Sequence, residues 1–403
     1  MADSVSSARM PWALLAATGL ATFAVTSGGS TRAPFLLDMA RDLDVGLPMV
    51  ANLFGLTSVS WGVTSVLAGA GSDRWGRRPF LIGGLVALAL SLVGVAVSDG
   101  FLWVAAWAAL AGGCSGVFTG VSLAEVSMRV PERQLGRALG WVMAGQSLTL
   151  LIGVPLAAWI GAGVGWRGVH VCVAALALIT ALAMFLTTMP VAVKAGQPVR
   201  LAARPPTLRE ALSPPVIRLL GSVGAERVCF GLLAVYYATF LQLTHALSLA
   251  AVAMPLAVFA VGNILGTLLG GRLSDHFRNR RLIFAIAMCL SACVAILLFA
   301  WHPTLWLTIT LGFTYALCNA VARPPLMASL ADVPSEVRGT VMGLNGACAS
   351  VGWLVAAAFG GWMLASIGFA GFGPLLATLA VLGAVLALIG APAARPSSDF
   401  PNP

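Results

Sequence analysis

Three ionisable side chains stand deep inside stretches of sequence that are otherwise apolar: Glu226, Arg227 and Arg323. A fourth, Arg32, stands near the end of the first such stretch. A charge buried in an apolar medium is costly unless it is paired or hydrogen-bonded, so each is a candidate for binding or for proton handling. Glu226 is the carboxylate suited to carrying a proton, because burial favours its neutral form. Arg32, Arg227 and Arg323 outnumber it, which suits a substrate with a carboxylate or other anionic group. Tyr315, Asn319 and Arg323 recur at i, i+4 and i+8 and so share one helix face. Thr18, Thr22, Thr26 and Ser30 form a second polar stripe, although hydroxyls also satisfy themselves on their own helix backbone. The plainer alternatives are an ion pair at Glu226–Arg227 that only sets packing, and an Arg32 that snorkels to the membrane interface.

Other chemistry finds no support. The sequence has no HExxH, GxSxG or CxxC, and its seven cysteines all lie in apolar segments as small hydrophobes. No metal site, cofactor or catalytic set is expected, and the chain does not read as an enzyme.

The elements that must position these residues follow from composition. Of 403 residues, 59% are hydrophobic and 9% charged, against about 25% charged in soluble domains. The outer surface therefore faces lipid. The net charge of +9 fits arginines retained in cytoplasmic loops rather than a nucleic-acid groove. A spanning helix needs about 20 apolar residues. Charge-free runs at 10–31, 45–72, 79–98, 100–124, 138–166 and 168–193 supply six spans. Longer runs at 228–271, 282–322 and 339–394, divided by turn residues near 245, 302 and 370, supply six more. The expected fold is an all-α polytopic membrane protein of twelve helices. Residues 1–189 form one six-helix half, 190–215 a cytoplasmic linker and 216–403 the other half. The N-terminus lacks a charged n-region and cleavage site, so the first run reads as a retained helix. Arginine placement puts both termini on the cytoplasmic side of a bacterial-type inner membrane.

The halves repeat. GAGSDRWGRR (Gly69–Arg78) aligns with GRLSDHFRNRR (Gly271–Arg281), and VPERQLGRALG (Val130–Gly140) with VPSEVRGTVMG (Val333–Gly343). Parallel repeats of this kind build transporters whose substrate site lies near mid-membrane between the halves. The loop between the second and third helices resembles the signature loop of the major facilitator superfamily, with a degenerate copy between helices 8 and 9. Helix 5, through Gly145, Gly153 and Pro155, resembles the glycine–proline motif of the drug:proton antiporter branch. Val154, Ala158 and Trp159 depart from that pattern, and helix 4 lacks the basic residue many antiporters carry.

The resemblance implies a conformational gate. Gly69, Asp73, Arg74, Gly76, Arg77 and Arg78, with Gly271, Asp275, Arg280 and Arg281, would hold the cytoplasmic side shut while the other side is open. Gly69 would let helix 2 approach a neighbour closely, and Asp73 would face the start of helix 11 near Pro334 to Gly339. The arginines would pin the loop in the headgroup layer. The expected function is alternating-access transport of a small organic molecule, as proton-coupled efflux. Arg32, Arg227, Tyr315, Asn319 and Arg323 would contact substrate and Glu226 would couple to the proton. Proton symport of an organic acid into the cell uses the same residues. A non-transporting sensor and an intramembrane enzyme are the remaining alternatives. Partners are the substrate, the proton and the bilayer, with no nucleic acid and a monomeric chain.

Overall fold

A computed structural model describes residues 10–130, 134–188, 212–277, 279–333 and 335–389. Helix α1 (Trp12–Ser30) passes through a tight turn, Ala33–Phe35, into the short α2 (Leu36–Asp42). Then come α3 (Leu47–Trp75), α4 (Arg77–Val97), α5 (Phe101–Arg129), α6 (Leu135–Leu148) and α7 (Val154–Thr187). Beyond the expected linker, most of which lies outside the described residues, come α8 (Pro214–Thr244), α9 (Ala253–His276) and α10 (Arg280–Ala300). The bundle ends with α11 (Leu305–Ala331), α12 (Ser335–Ser366) and α13 (Phe372–Leu388).

Eleven stretches are long and apolar enough to cross a membrane, and one of them, Arg137–Thr187, is 51 residues long. That stretch makes two crossings. Gly165 breaks α7 with φ 71° and ψ 175°, a conformation closed to residues with a Cβ. Just before α7, a π turn at Thr149–Gly153 absorbs the strain of Pro155, which has no N–H to return to the Leu151 carbonyl. Twelve crossings result, with the first and last residues described at one face, here the terminal face. The opposite, distal face is tied by Asp42, whose carboxylate accepts from Trp166 Nε1 and Arg167 Nη1, each at 2.8 Å.

Helix α8 starts at Pro214, where Ser213 and two prolines pre-set its first turn. Glu226 is therefore about 18 Å along the helix. His170 is 2% exposed, inside the sixth crossing that begins after the break at Gly165.

In lipid, helices gain little from hiding apolar surface and associate by close backbone packing. Two stripes of glycine at four-residue spacing provide it. On α5, Gly112, Gly116 and Gly120 lie against the carbonyls of Thr57, Trp61 and Ser65 on α3. On α9, Gly262, Gly266 and Gly270 lie against those of Phe313, Leu317 and Val321 on α11. At Val321 the carbonyl is free to be approached, since Pro325 cannot donate to it. The smooth partner is thus the fourth crossing in one half and the eighth in the other.

A side chain at these glycines overlaps backbone that cannot step aside. Gly116→Val or Gly266→Val should cost at least the ~1–3 kcal/mol typical of overpacking and lower the thermal midpoint in detergent. Gly140→Ala, where nothing lies within 4 Å of the added carbon, should leave the midpoint unchanged or slightly raised. Equal midpoints for all three variants would remove the stripes from the account of stability.

Candidate functional site

Glu226 on α8 is 1% exposed and is the meeting point of three charges. Its Oε1 accepts from Arg323 Nη2 at 3.0 Å and Nε at 3.2 Å, across the interface with α11. Its Oε2 lies 3.4 Å from Arg227 Nε, an ion-pair distance without the alignment of a hydrogen bond. The neighbouring side chains thus do converge, although successive residues of a helix point about 100° apart. Arg323 also stacks its guanidinium 4.9 Å from the Phe230 ring, one turn along α8. Phe230 in turn meets Trp353 of α12 edge-on at 5.8 Å. Both arginine side chains keep about a fifth of their surface open, 18% for Arg227 and 21% for Arg323. The carboxylate is sealed while its partners reach solvent space.

The polar stripe on α11 faces protein, as its spacing implied, but its members differ in reach. Tyr315 is 1% exposed and donates its hydroxyl proton to the Cys229 carbonyl at 3.0 Å. Asn319 is fully buried, with neither amide atom partnered. Of the three, Arg323 is the one that is partly exposed. The threonines of α1 behave as the plainer reading held: Thr18, Thr22 and Thr26 each donate to the carbonyl four residues earlier. Arg32 does not snorkel. It is 2% exposed and turned inward onto α3.

About two to three turns beyond Glu226, toward the distal face, both halves line an apolar pocket. Ser30, Phe54, Leu150 and Val154 come from the first half, and Leu233, Tyr237, Phe259 and Trp353 from the second. None of the aromatic members was singled out from sequence, since an aromatic residue in an apolar span carries no signal of which face it takes. The pocket holds about 30 Å³, room for roughly one water. An organic molecule needs it to widen.

The seam between α3 and α12 shows how it can. Along α3, Pro48, Gly55, Gly62 and Gly69 recur every seven residues. Pro48 packs on Gly361, Gly55 on Leu354 and Gly62 on Ser350. At Gly69 no such rung is made among the described residues: none of their atoms lies within 4 Å of the Cβ position there, nor at Gly343 or Gly346 opposite. Gln242 Nε2 donates to the Pro34 carbonyl at 3.1 Å, tying the halves at the distal face. Among the described residues the halves thus meet at the distal face and part toward the terminal face. No described residue makes the close approach expected of Gly69, and none lies within 4 Å of the Cβ position at Gly271.

The signature loop is held within its own half. Gly76 turns the chain with φ 86°, which fixes it as glycine. Arg77 Nη1 donates to the Ala124 carbonyl at 3.0 Å and lies 3.9 Å from Glu125, which also pairs with Arg129. Arg78 Nη2 donates to the Phe185 carbonyl at 3.0 Å and stacks on that ring. These two arginines tie the loop to α5 and α7. Arg74 stays exposed, over Trp75. Asp73 sits in the last turn of α3, while its side chain and its expected counterpart Pro334 lie outside the described residues. In the second copy, Arg280 pairs with Asp332 at 2.8 Å, Asp275 is exposed and Arg281 half-buried. In helix 5, Gly145 lies against the Gly19 carbonyl and Gly153 against Ser27 and Phe23, so the motif seats α6 and the π turn on α1.

Comparison with known proteins agrees with this architecture. A family model described as Major Facilitator Superfamily matches residues 18–254 and 219–403. The chain is 27% identical over 299 residues to "Transcription regulatory protein OpdE" of Pseudomonas aeruginosa, covering 72% of each chain. It is 27% identical over 356 residues to "Inner membrane transport protein YdhP" of Escherichia coli K12, covering 87% of this chain and 88% of that one. It is also 27% identical over 281 residues to "Chloramphenicol resistance protein" of Streptomyces lividans, covering 68% and 69%. Among solved structures, a bacterial homologue of the human lysosomal transporter Spinster, in an inward-facing and unoccupied conformation, superposes with a TM-score of 0.72. That match is 16% identical and covers 95% of both chains.

The parted seam makes a direct prediction. In a variant whose native cysteines are replaced, Gly343→Cys should react rapidly with a water-soluble maleimide. Ala51→Cys, at a fully buried position near the distal end of α3, should react slowly. The reverse order of rates would mean that the resting protein is open distally instead.

Proposed function

Because the chain belongs to the major facilitator superfamily, a family of membrane transporters, we propose that it exports a small organic molecule in exchange for protons. The observation that carries this reading is Glu226, a carboxylate 1% exposed that meets two arginines about two turns from the apolar pocket along α8. Arg227 and Arg323, from different helices, flank it. Substrate arriving from the cleft favours release of the Glu226 proton to that side, and reprotonation from the opposite side after the substrate has left favours return, so that the two move in opposite directions. Arg227 and Arg323 are the substrate contacts on the cleft side, while Tyr315 and Asn319 support Arg323 from within the helix interface.

Efflux rather than uptake is favoured by the likeness to the chloramphenicol resistance protein. The arginine-rich terminal face is taken as cytoplasmic. The OpdE likeness supports a second reading, a membrane sensor that moves nothing. Drug accumulation in proteoliposomes separates the two.

Everted vesicles loaded with a drug panel that includes chloramphenicol provide the test. Glu226→Gln should abolish transport driven by a pH gradient, by at least tenfold, while drug binding persists. If the pair were only structural, Glu226→Gln should lower stability, and Glu226→Gln with Arg227→Gln should restore both folding and pH-driven transport. A double variant that pumps normally would exclude Glu226 from coupling.

A further inference from the structure

Arg32 carries a charge that no carboxylate neutralises among the described residues. It is 2% exposed, so solvent does not neutralise it either. Its hydrogen bonds are thin for a guanidinium with five N–H groups. Nη2 donates to Thr57 Oγ1 at 3.0 Å and to the Gly28 carbonyl at 3.4 Å, and Nη1 to the Leu53 carbonyl at 3.5 Å. Nε has no partner at all. His170, near enough to sense this charge, offers none in return. Its Nδ1–H donates to the Trp166 carbonyl at 2.8 Å, and its buried Nε2 is unpartnered.

The other deeply placed arginines, Arg227 and Arg323, both have Glu226 as a carboxylate partner. Arg32 instead sits with its guanidinium 5.6 Å from the Phe54 ring. Phe54 and Ser30 are both wall residues of the central pocket. A single aromatic ring therefore stands between an uncompensated cation and the space where substrate is proposed to sit.

We propose that Arg32 reads substrate charge: the central pocket takes a molecule with an apolar body and one carboxylate-like oxyanion, which reaches Arg32 when the Phe54 ring turns aside. This rests on the reading of that pocket as the substrate site. Arg323 is the weaker candidate for the same task at the pocket, since two of its N–H groups already point at Glu226 Oε1. An oxyanion at Arg32 completes a site whose other donors are in place, with Nε free and Thr57 holding Nη2 in orientation. A bidentate carboxylate suits this fork.

The test uses the full-length protein in detergent at neutral pH and a matched pair of probes, 4-phenylbutyrate and 4-phenylbutyramide, read by thermal shift. The wild type should bind the acid at least tenfold more tightly than the amide. Arg32→Met should abolish that preference while leaving amide affinity within about twofold, and its ligand-free midpoint should be no lower than wild type. Arg32→Lys, which keeps the charge without the fork, should retain part of the preference. Phe54→Ala should increase acid affinity severalfold by removing the screen. The inference is overturned if Arg32→Met keeps the preference, or if its ligand-free midpoint falls by many degrees with no change in preference. Loss of the preference in Arg323→Met alone would move charge reading to the cleft and leave the pocket assignment intact. Equal binding of acid and amide by the wild type would also overturn the role of Arg32 while sparing the pocket. Binding of neither probe would overturn both.

Discussion

Close contact between helix backbones is the constraint on which this protein depends. A bundle in lipid has no water to drive its helices together, so contact has to come from surfaces smooth enough to touch. The glycines of α5 and α9 let two helix pairs meet at carbonyl distance, and Gly145 and Gly153 do the same between α6, the π turn and α1. Each half is thereby tied within itself. The seam between α3 and α12 uses the same means across the halves, but only along part of its length. Stiffness within halves and a partial seam between them would suit the alternating access proposed for this chain.

Against that packed background the charges divide into two kinds. Glu226, Arg227 and Arg323 form a cluster whose anion is sealed and whose cations are partly open. Buried pairs contribute little net stability because desolvation offsets attraction, yet breaking one leaves a costly lone charge. Such a pair is poor as a structural bond and well suited to exchange of partners. The signature-loop arginines are of the other kind. Arg77 and Arg78 bind carbonyls of α5 and α7 near the terminal face and so hold the loop to its own half.

The twelve crossings were legible because length and apolarity are written into each stretch, and even the division of α7 fell beside Arg167, two residues from the break at Gly165. The protein-facing stripe on α11 was legible from its spacing. The partner of Arg323 was not. Glu226 lies 97 residues away, and nothing in either helix alone gives their relative rotation and depth. Which of the two readings of Arg32 holds was not legible for a similar reason: a lone arginine near a helix end also satisfies the rule for snorkelling, and only the neighbouring α3 supplies Thr57 and the Leu53 carbonyl that draw it inward. The pocket was invisible because its walls are ordinary apolar residues. The glycine stripes stand in plain view at four-residue spacing, but the sequence does not say which helix they touch or which of two conformations parts them.

The seven-residue row on α3 also fixes where motion is small. Its rungs are about 10 Å apart along the helix, and the two middle ones, Gly55 and Gly62, are engaged in a state already open at one end. If Gly69 is to engage in turn, Pro48 must let go of Gly361, and the middle of the row becomes a fulcrum. Phe54 and Trp353, the pocket walls, are the sequence neighbours of Gly55 and Leu354 and so sit at that level. A lever swings its ends and barely displaces its pivot. A molecule held there stays almost still while the water in front of it changes sides.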